Sequence, residues 1–453
     1  MADSEREKEK IKIPASSGLR KTYSAKARLD EGCSWTACAV GFIVMFIIGG
    51  QNNSSGIIFT VLLDEFNTNR GQTAWVTAMA AGSMHAFGMV SALLGNRLGF
   101  ANVIVLGGLA CAVGMFTSSF ATNIYLLYLT YGLVWGLGSC LCYCSALFLL
   151  PQFFRARLGL ANGIVFFGAP VATLVYSAVM QKLFNYLGLA KTFRILAGVQ
   201  LVLVLCGFIT RSILSLGFDQ IELKNIKKSS FDWSIFKNKS FMVFVASLCM
   251  FMPGYLVPYV HLVRLAKDSG ETSNRAVFLV SCLGFGSLTI RPFFGKFLDL
   301  PRVSRLTTLQ ITLLLISVFT TLVPIATNYE WLATYAFMYG LLEGCFLISL
   351  PLIVQDLVGD SKLASALGTL YCLLSIPKTA GPSIAGWIYD TFDSYAVAFF
   401  CAGGFAMVST CILLMVPLFR TNINSFSRSK ELVHLVVRSE CNNEEIIGKE
   451  TCL

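Results

Sequence analysis

Charge is scarce in this chain: 13% of its 453 residues are Asp, Glu, Lys or Arg. That is about half the share of a soluble domain. Together with 55% hydrophobic residues and a mean hydropathy of +0.68, it excludes a soluble globule. The first 34 residues have no apolar core, so no cleavable signal peptide is expected and the first span must act as the insertion signal. No metal-ligand spacing, nucleophile triad or phosphate-binding loop occurs, which leaves an enzyme unsupported and gives no reason to expect a cofactor or a metal. No ring of repeated charge occurs either, which speaks against a channel.

What the chain does have is a series of apolar runs of the length that crosses a bilayer, about 20 residues each. Twelve are read, at roughly 36–62, 73–95, 101–120, 124–150, 158–181, 192–211, 240–263, 275–298, 305–326, 330–357, 363–388 and 394–419. The expected fold class is an all-α membrane protein of twelve transmembrane helices, with the lipid bilayer as its first partner. Twelve spans put both termini on one side. Of the 35 Lys and Arg residues, 26 fall on that side and 7 on the other, while Arg291 and Lys378 lie inside spans. The positive-inside rule makes both tails cytoplasmic. The same bias accounts for the net charge of +10 without any nucleic-acid partner. The cluster Lys224, Lys227 and Lys228 is placed to meet anionic lipid. Fifteen cysteines are present, none of them in an external loop. Cys140, Cys142 and Cys144 alternate within an apolar helix, which scatters them around it, so they read as packing residues rather than disulfides or a zinc site.

Polar groups inside the spans point to a site. The eighth span carries Arg291, and an arginine in hydrocarbon costs a few kcal/mol unless it faces protein or a watery cavity. Its guanidinium fork matches a carboxylate in two parallel hydrogen bonds. Either a bound organic anion or a carboxylate on a neighbouring helix satisfies it. The first span is interrupted by Gln51-Asn52-Asn53-Ser54-Ser55, whose polar groups lipid cannot satisfy, so this turn is expected to line a cavity, with burial against neighbouring helices as the other reading. His85 in the second span is either a packing group or a proton carrier. Glu343 in the tenth span and Lys378 in the eleventh, near Pro377 and Pro382, are expected to pair with each other or with the substrate. His261 follows a proline-broken seventh span and is a candidate for the pocket rim.

The halves of the chain repeat. Arg157, Ala161 and Gly163 share their spacing with Lys362, Ala366 and Gly368, and Tyr131-Gly132-Leu133 with Gly136 recurs as Tyr339-Gly340-Leu341 with Gly344. Two pseudo-symmetric six-helix bundles follow, with the substrate site between them. The expected organisation is an N-tail at 1–34, bundles at 35–211 and 240–419, a cytoplasmic linker at 212–239 and a C-tail at 420–453.

Several motifs in register carry a family resemblance. Asp30-Glu31-Gly32-Cys33-Ser34-Trp35 precedes the first span, and QFFRARLGLANGIVFFG lies at 152–168. GYLVPYVHLVRLAKDSG at 254–270, DLVGDSKLASALG at 356–368 and TAGPSIAGWIYD at 379–390 follow. The chain resembles the major facilitator superfamily and, within it, the monocarboxylate transporter family (solute carrier family 16). The likeness spans roughly 30–420. It implies an alternating-access transporter of small carboxylate-bearing metabolites at the plasma membrane, with a single-span glycoprotein chaperone as a partner. Proton-linked symport in that family uses a first-span lysine and an eighth-span aspartate. Here the corresponding positions are Asn53 and Ser287, so a facilitative carrier is expected, with Glu343 and His85 as the remaining proton-coupling candidates. Glu343 matches an acidic position of the branch resembling aromatic amino acid and thyroid hormone carriers, which is facilitative and pairs this acid with the eighth-span arginine; that branch is the alternative reading. A non-transporting sensor on the same fold is a third. The substrate-binding candidates are thus Arg291, Asn53, Ser287, Glu343, Lys378 and His261. The chain ends Thr451-Cys452-Leu453, a hydroxyl two residues before an apolar terminus, the pattern captured by PDZ domains; an ordinary tail is the other reading.

Overall fold

In lipid every backbone amide must be satisfied within its own segment, so apolar runs of this length become helices. The computed structural model describes residues 30, 32–68, 70–217, 231–325, 328–392 and 394–419. The N-tail before Asp30, the Lys224, Lys227 and Lys228 cluster, and the C-terminal Thr451-Cys452-Leu453 lie outside the described residues. The helices are α1 (Gly32–Asn53), α2 (Ser55–Phe66), α3 (Arg70–Ala86), α4 (Gly88–Leu98), α5 (Phe100–Ser118), α6 (Ile124–Phe153), α7 (Leu158–Gly217), α8 (Lys239–Tyr255), α9 (Val257–Asp268), α10 (Ser273–Leu298), α11 (Arg305–Leu322), α12 (Tyr329–Val358), α13 (Leu363–Phe392) and α14 (Tyr395–Leu413). Polar side chains start several of them. Asn123, Asn238, Ser304 and Ser394 each accept from a backbone N–H of the first turn, filling part of the deficit every helix start carries.

The breaks fall where local chemistry weakens the helical ladder. α1 gives way to α2 at Ser54, inside the polar run. α8 gives way to α9 at Leu256, two residues before Pro258, which cannot donate to the preceding turn. α3 and α4 meet at a 45° bend. α7 is interrupted by Gly188 at φ 73°, ψ 179°, a conformation open to glycine and strained for other residues. Ten helices among the described residues are long and apolar enough to cross a membrane, or eleven with the bent α3–α4 pair as one span. Against the twelve expected, the difference is α13. Its 30 residues suffice in length, but Lys378, with the serine, threonine and proline residues around it, lowers its hydropathy.

The helices pack in two sets. In one, α7 packs on α1 and α5, and α6 packs on α3 and α5; in the other, α10 packs on α12, α8 on α13 and α14, and α11 on α14. The repeat has a packing counterpart. A Cβ on Gly136 would meet Ser83 of α3 at 2.5 Å, and one on Gly344 would meet Ile290 of α10 at 2.6 Å.

The sets meet where α10 crosses α7 and where α13 crosses α3 and α4. These crossings are backbone to backbone. A Cβ on Gly88 would lie 2.5 Å from the Gly368 carbonyl oxygen, and Gly159 faces Gly295 as closely. Glycine at such points lets helices approach nearer than any side chain allows. Beside the crossing of α10 with α7, the Asp299 carboxylate accepts from the amides of Gly159 (2.7 Å) and Leu160 (2.8 Å), at the start of α7. Burial raises the Asp299 carboxyl above the ordinary aspartate value, while those two amides and Arg305 pull it down. Two sequence motifs are joined at the same end. The Asp30 carboxylate accepts from the amides of Arg155, Ala156 and Arg157. Arg305 also pairs there with Asp356 at 3.0 Å.

The described cysteines are free thiols. Cys140 and Cys144 share one face of α6 with sulfurs 3.9 Å apart, and Cys142 turns to the Ile104 carbonyl of α5.

Candidate functional site

Arg291 sits one turn after Ser287 on α10, so both side chains share a face. The face turns toward Glu343, halfway along α12. Arg291 and Glu343 are 5% and 4% exposed, and Arg291 Nη2 lies 3.2 Å from Glu343 Oε2. Ser287 Oγ donates to the same carboxylate oxygen at 2.7 Å and accepts from Arg291 Nε and Nη2 at 3.1 and 2.7 Å. Tyr255, at the broken end of α8, donates to Glu343 Oε1 at 2.7 Å. The Tyr339 hydroxyl donates to the Tyr255 carbonyl and so fixes the break. A buried ion pair survives only when most of its remaining donors and acceptors are met, and here four of the five Arg291 N–H groups and both Glu343 oxygens have partners.

Arg291 also reaches the other helix set. Its Nη1 donates to the carbonyl of Phe166 on α7. That carbonyl is open because the residue four positions on is Pro170, which lies within the helix and has no N–H to return. A proline on one set thereby makes the acceptor for an arginine on the other.

A cavity of about 130 Å³ lies beside this network, roughly ten times the space one water needs. Both sets line it: Asn52 and Asn53 of α1, His85 of α3, Tyr143 of α6 and Phe166 of α7 face Tyr255, Arg291, Glu343, Phe346, Tyr371 and Lys378. Lys378 Nζ stands 5.4 Å from the centre of the Tyr255 ring, within cation–π range. The ion pairs of the described residues do not include it. Of the two partners expected for Glu343, the structure pairs it with Arg291 and not with Lys378. The guanidinium reaches the carboxylate directly and brings Ser287 with it.

The other candidates divide. Asn53 lines the cavity and donates to Thr173 Oγ1 at 3.1 Å. His85 lines it too, between the rings of Tyr143 (5.6 Å) and Tyr371 (6.1 Å), with Nδ1 3.2 Å from the Ala81 carbonyl oxygen. Ser287 stands in the ion-pair network and is not a lining residue. His261 is buried and lies against the Tyr395 ring at 5.1 Å, apart from the cavity lining. Gln51 departs from its expected place. It is fully buried inside its own helix set, accepting from Gln200 Nε2 at 2.6 Å and facing the Met115 sulfur at 3.1 Å. Tyr255, Tyr143, Tyr371 and Phe166 were not singled out from sequence. Pro170 was the readable signal for Phe166, since the carbonyl it frees is fixed by the helical repeat.

A cavity between two helix sets, lined from both and holding buried charges, is the arrangement expected of a membrane carrier. The Major Facilitator Superfamily model matches residues 41–301 and 240–439. Monocarboxylate transporter 10 of Mus musculus is 30% identical over 86% of this chain and 79% of its own length. Monocarboxylate transporter 12-B of Danio rerio is 28% identical over 85% and 87%. Among solved structures, the major facilitator transporter FucP in the outward conformation superposes with a TM-score of 0.66 at 12% identity, over 86% of this chain and all of that one. The chain belongs to the Major Facilitator Superfamily and, within it, to the monocarboxylate transporters. It is a multi-pass membrane transporter, as its relatives are, and not an enzyme.

Proposed function

We propose that the protein is an alternating-access carrier of small carboxylate-bearing metabolites, facilitative rather than obligatorily proton-coupled, in the plasma membrane. The observation that carries this reading is the cavity between the helix sets, with Arg291, Glu343 and Lys378 in its wall. The reading takes α13 as the eleventh of twelve spans, 35–211 and 240–419 as the two rocking bundles, and both termini as cytoplasmic. The glycine crossings and the Asp299 contact then close the cytoplasmic side. In support of facilitation, Asn53 and Ser287 offer no titratable group, which leaves Glu343 and His85 as the proton-coupling candidates. A single-span glycoprotein chaperone and a PDZ-domain protein at the C-terminus belong to the same proposal.

A second reading, a carrier of aromatic amino acids, is favoured by the rings of Tyr143, Phe166, Tyr255, Phe346 and Tyr371 in the wall. The test is tracer uptake by the purified chain in proteoliposomes, with lactate, pyruvate, ketone bodies, creatine, carnitine and aromatic amino acids as the panel. A facilitative carrier brings its substrate to equilibrium and no further. Accumulation above equilibrium driven by an imposed pH gradient would overturn facilitation, and no uptake of any compound would overturn the carrier.

A further inference from the structure

We infer that Lys378, not Arg291, is the cation on which the substrate carboxylate docks, and that the cavity takes aromatic or apolar monocarboxylates while rejecting their α-ammonium counterparts. This rests on the carrier reading above and narrows its substrate.

The argument begins with what Arg291 has left to give. A guanidinium has five N–H donors. Nε and Nη2 donate to Ser287, Nη2 also to Glu343, and Nη1 to the Phe166 carbonyl. The Nε–Nη2 edge that would hold a carboxylate in two parallel bonds is already occupied, one N–H of Nη1 is left over, and the charge is matched by Glu343 at 3.2 Å. Lys378 is in the opposite condition. Its ammonium lines the cavity, lies over the Tyr255 ring and has no ion pair among the described residues. A ring face is a weak partner for a cation compared with a carboxylate. An anionic ligand therefore gains more at Lys378 than at Arg291.

The fixed charges of the cavity are Arg291, Lys378 and Glu343. Their sum is one positive charge, which a monoanion cancels and a zwitterion does not. An α-ammonium would also need an acceptor. The carboxylate in the wall is Glu343, on which Tyr255, Ser287 and Arg291 already converge. Bringing a third cation to that pair would desolvate charge with no anion to match it. Across the cavity, Asn52 and Asn53 supply neutral amides suited to a hydroxyl or keto oxygen beside the carboxylate. The rings of Tyr143, Phe346 and Tyr371 suit an apolar or aryl tail.

Phenyllactate and phenylalanine separate the two cases, since they differ only by a hydroxyl in place of an ammonium. Radiolabelled uptake of each is measured with the full chain in proteoliposomes at pH 7. Phenyllactate is expected to enter at least 10-fold faster. Lys378→Gln should cut its uptake at least 10-fold, and Lys378→Arg should restore most of it, which also shows that the position tolerates substitution. Tyr255→Phe removes one donor from Glu343 and should raise the phenylalanine to phenyllactate ratio severalfold. Equal or faster phenylalanine uptake, or full phenyllactate uptake by a correctly folded Lys378→Gln protein, overturns the inference and leaves the carrier reading standing. Uptake of neither compound, nor of lactate or pyruvate, overturns both.

Discussion

The Arg291–Glu343 pair makes a quantitative prediction through a double-mutant cycle. Two unit charges 3.2 Å apart attract with about 5 kcal/mol at an effective dielectric constant of 20. Part of that is shared, because Ser287 bonds to both partners and keeps one bond when either is lost. The cavity also lets water reach the orphaned group. The expected coupling is therefore about 2–3 kcal/mol. Arg291→Gln leaves Glu343 buried and uncompensated, and Glu343→Gln does the same to Arg291. Each single change should be costly, at about 3 kcal/mol. The double change Arg291→Gln with Glu343→Gln leaves two neutral amides that can bond to each other, so its cost should fall well short of the sum. Thermal unfolding of the four purified proteins in one detergent reads this directly. At about 2 °C per kcal/mol for a chain of this size, the double variant should melt about 4–6 °C above the value expected from adding the singles. Additive midpoints would refute the ion pair as the organising contact of the site.

Three further outcomes follow from the helix crossings and the polar residues. Asp299→Ala removes the acceptor of two amides at the start of α7, at a cost of about 2 kcal/mol or roughly 30-fold in the balance of states. A Leu347→Cys reporter in the cavity wall should then be labelled about 30-fold faster from the Asp299 side, and unchanged labelling would remove that contact as a latch. Gly368→Leu forces a side chain against the Gly88 backbone. It should cost about 1–3 kcal/mol of the closed arrangement and abolish tracer exchange, whereas wild-type exchange rates would show that the crossing is not needed. Transport should change less than about 2-fold when the external pH is lowered from 7.5 to 6.5, since Asn53 and Ser287 carry no proton; strong acceleration with matched proton uptake would assign coupling to Glu343 or His85.

The sequence by itself determined what one helix can say about itself. Apolar runs of bilayer length required helices, and the Lys and Arg distribution set the expectation for sidedness. Pro258 and the polar run at 51–55 marked breaks that the structure places at Leu256 and Ser54. Arg291 stood out because a cation in hydrocarbon is costly wherever the rest of the chain lies. These signals depend on hydropathy and on the 3.6-residue repeat, both local. Only the tertiary structure decided the pairings. It gave Glu343 to Arg291 rather than Lys378, sent Gln51 to Gln200 while its neighbour Asn52 met the cavity, and set His261 against Tyr395. Each outcome turns on the rotation of one helix about its axis and on how closely its neighbour crosses it. Neighbouring residues on a helix differ by about 100° in direction, so adjacent polar residues can face a cavity and a core. The sequence placed polar groups within its apolar runs, and the packing of neighbouring helices decided which of them would meet.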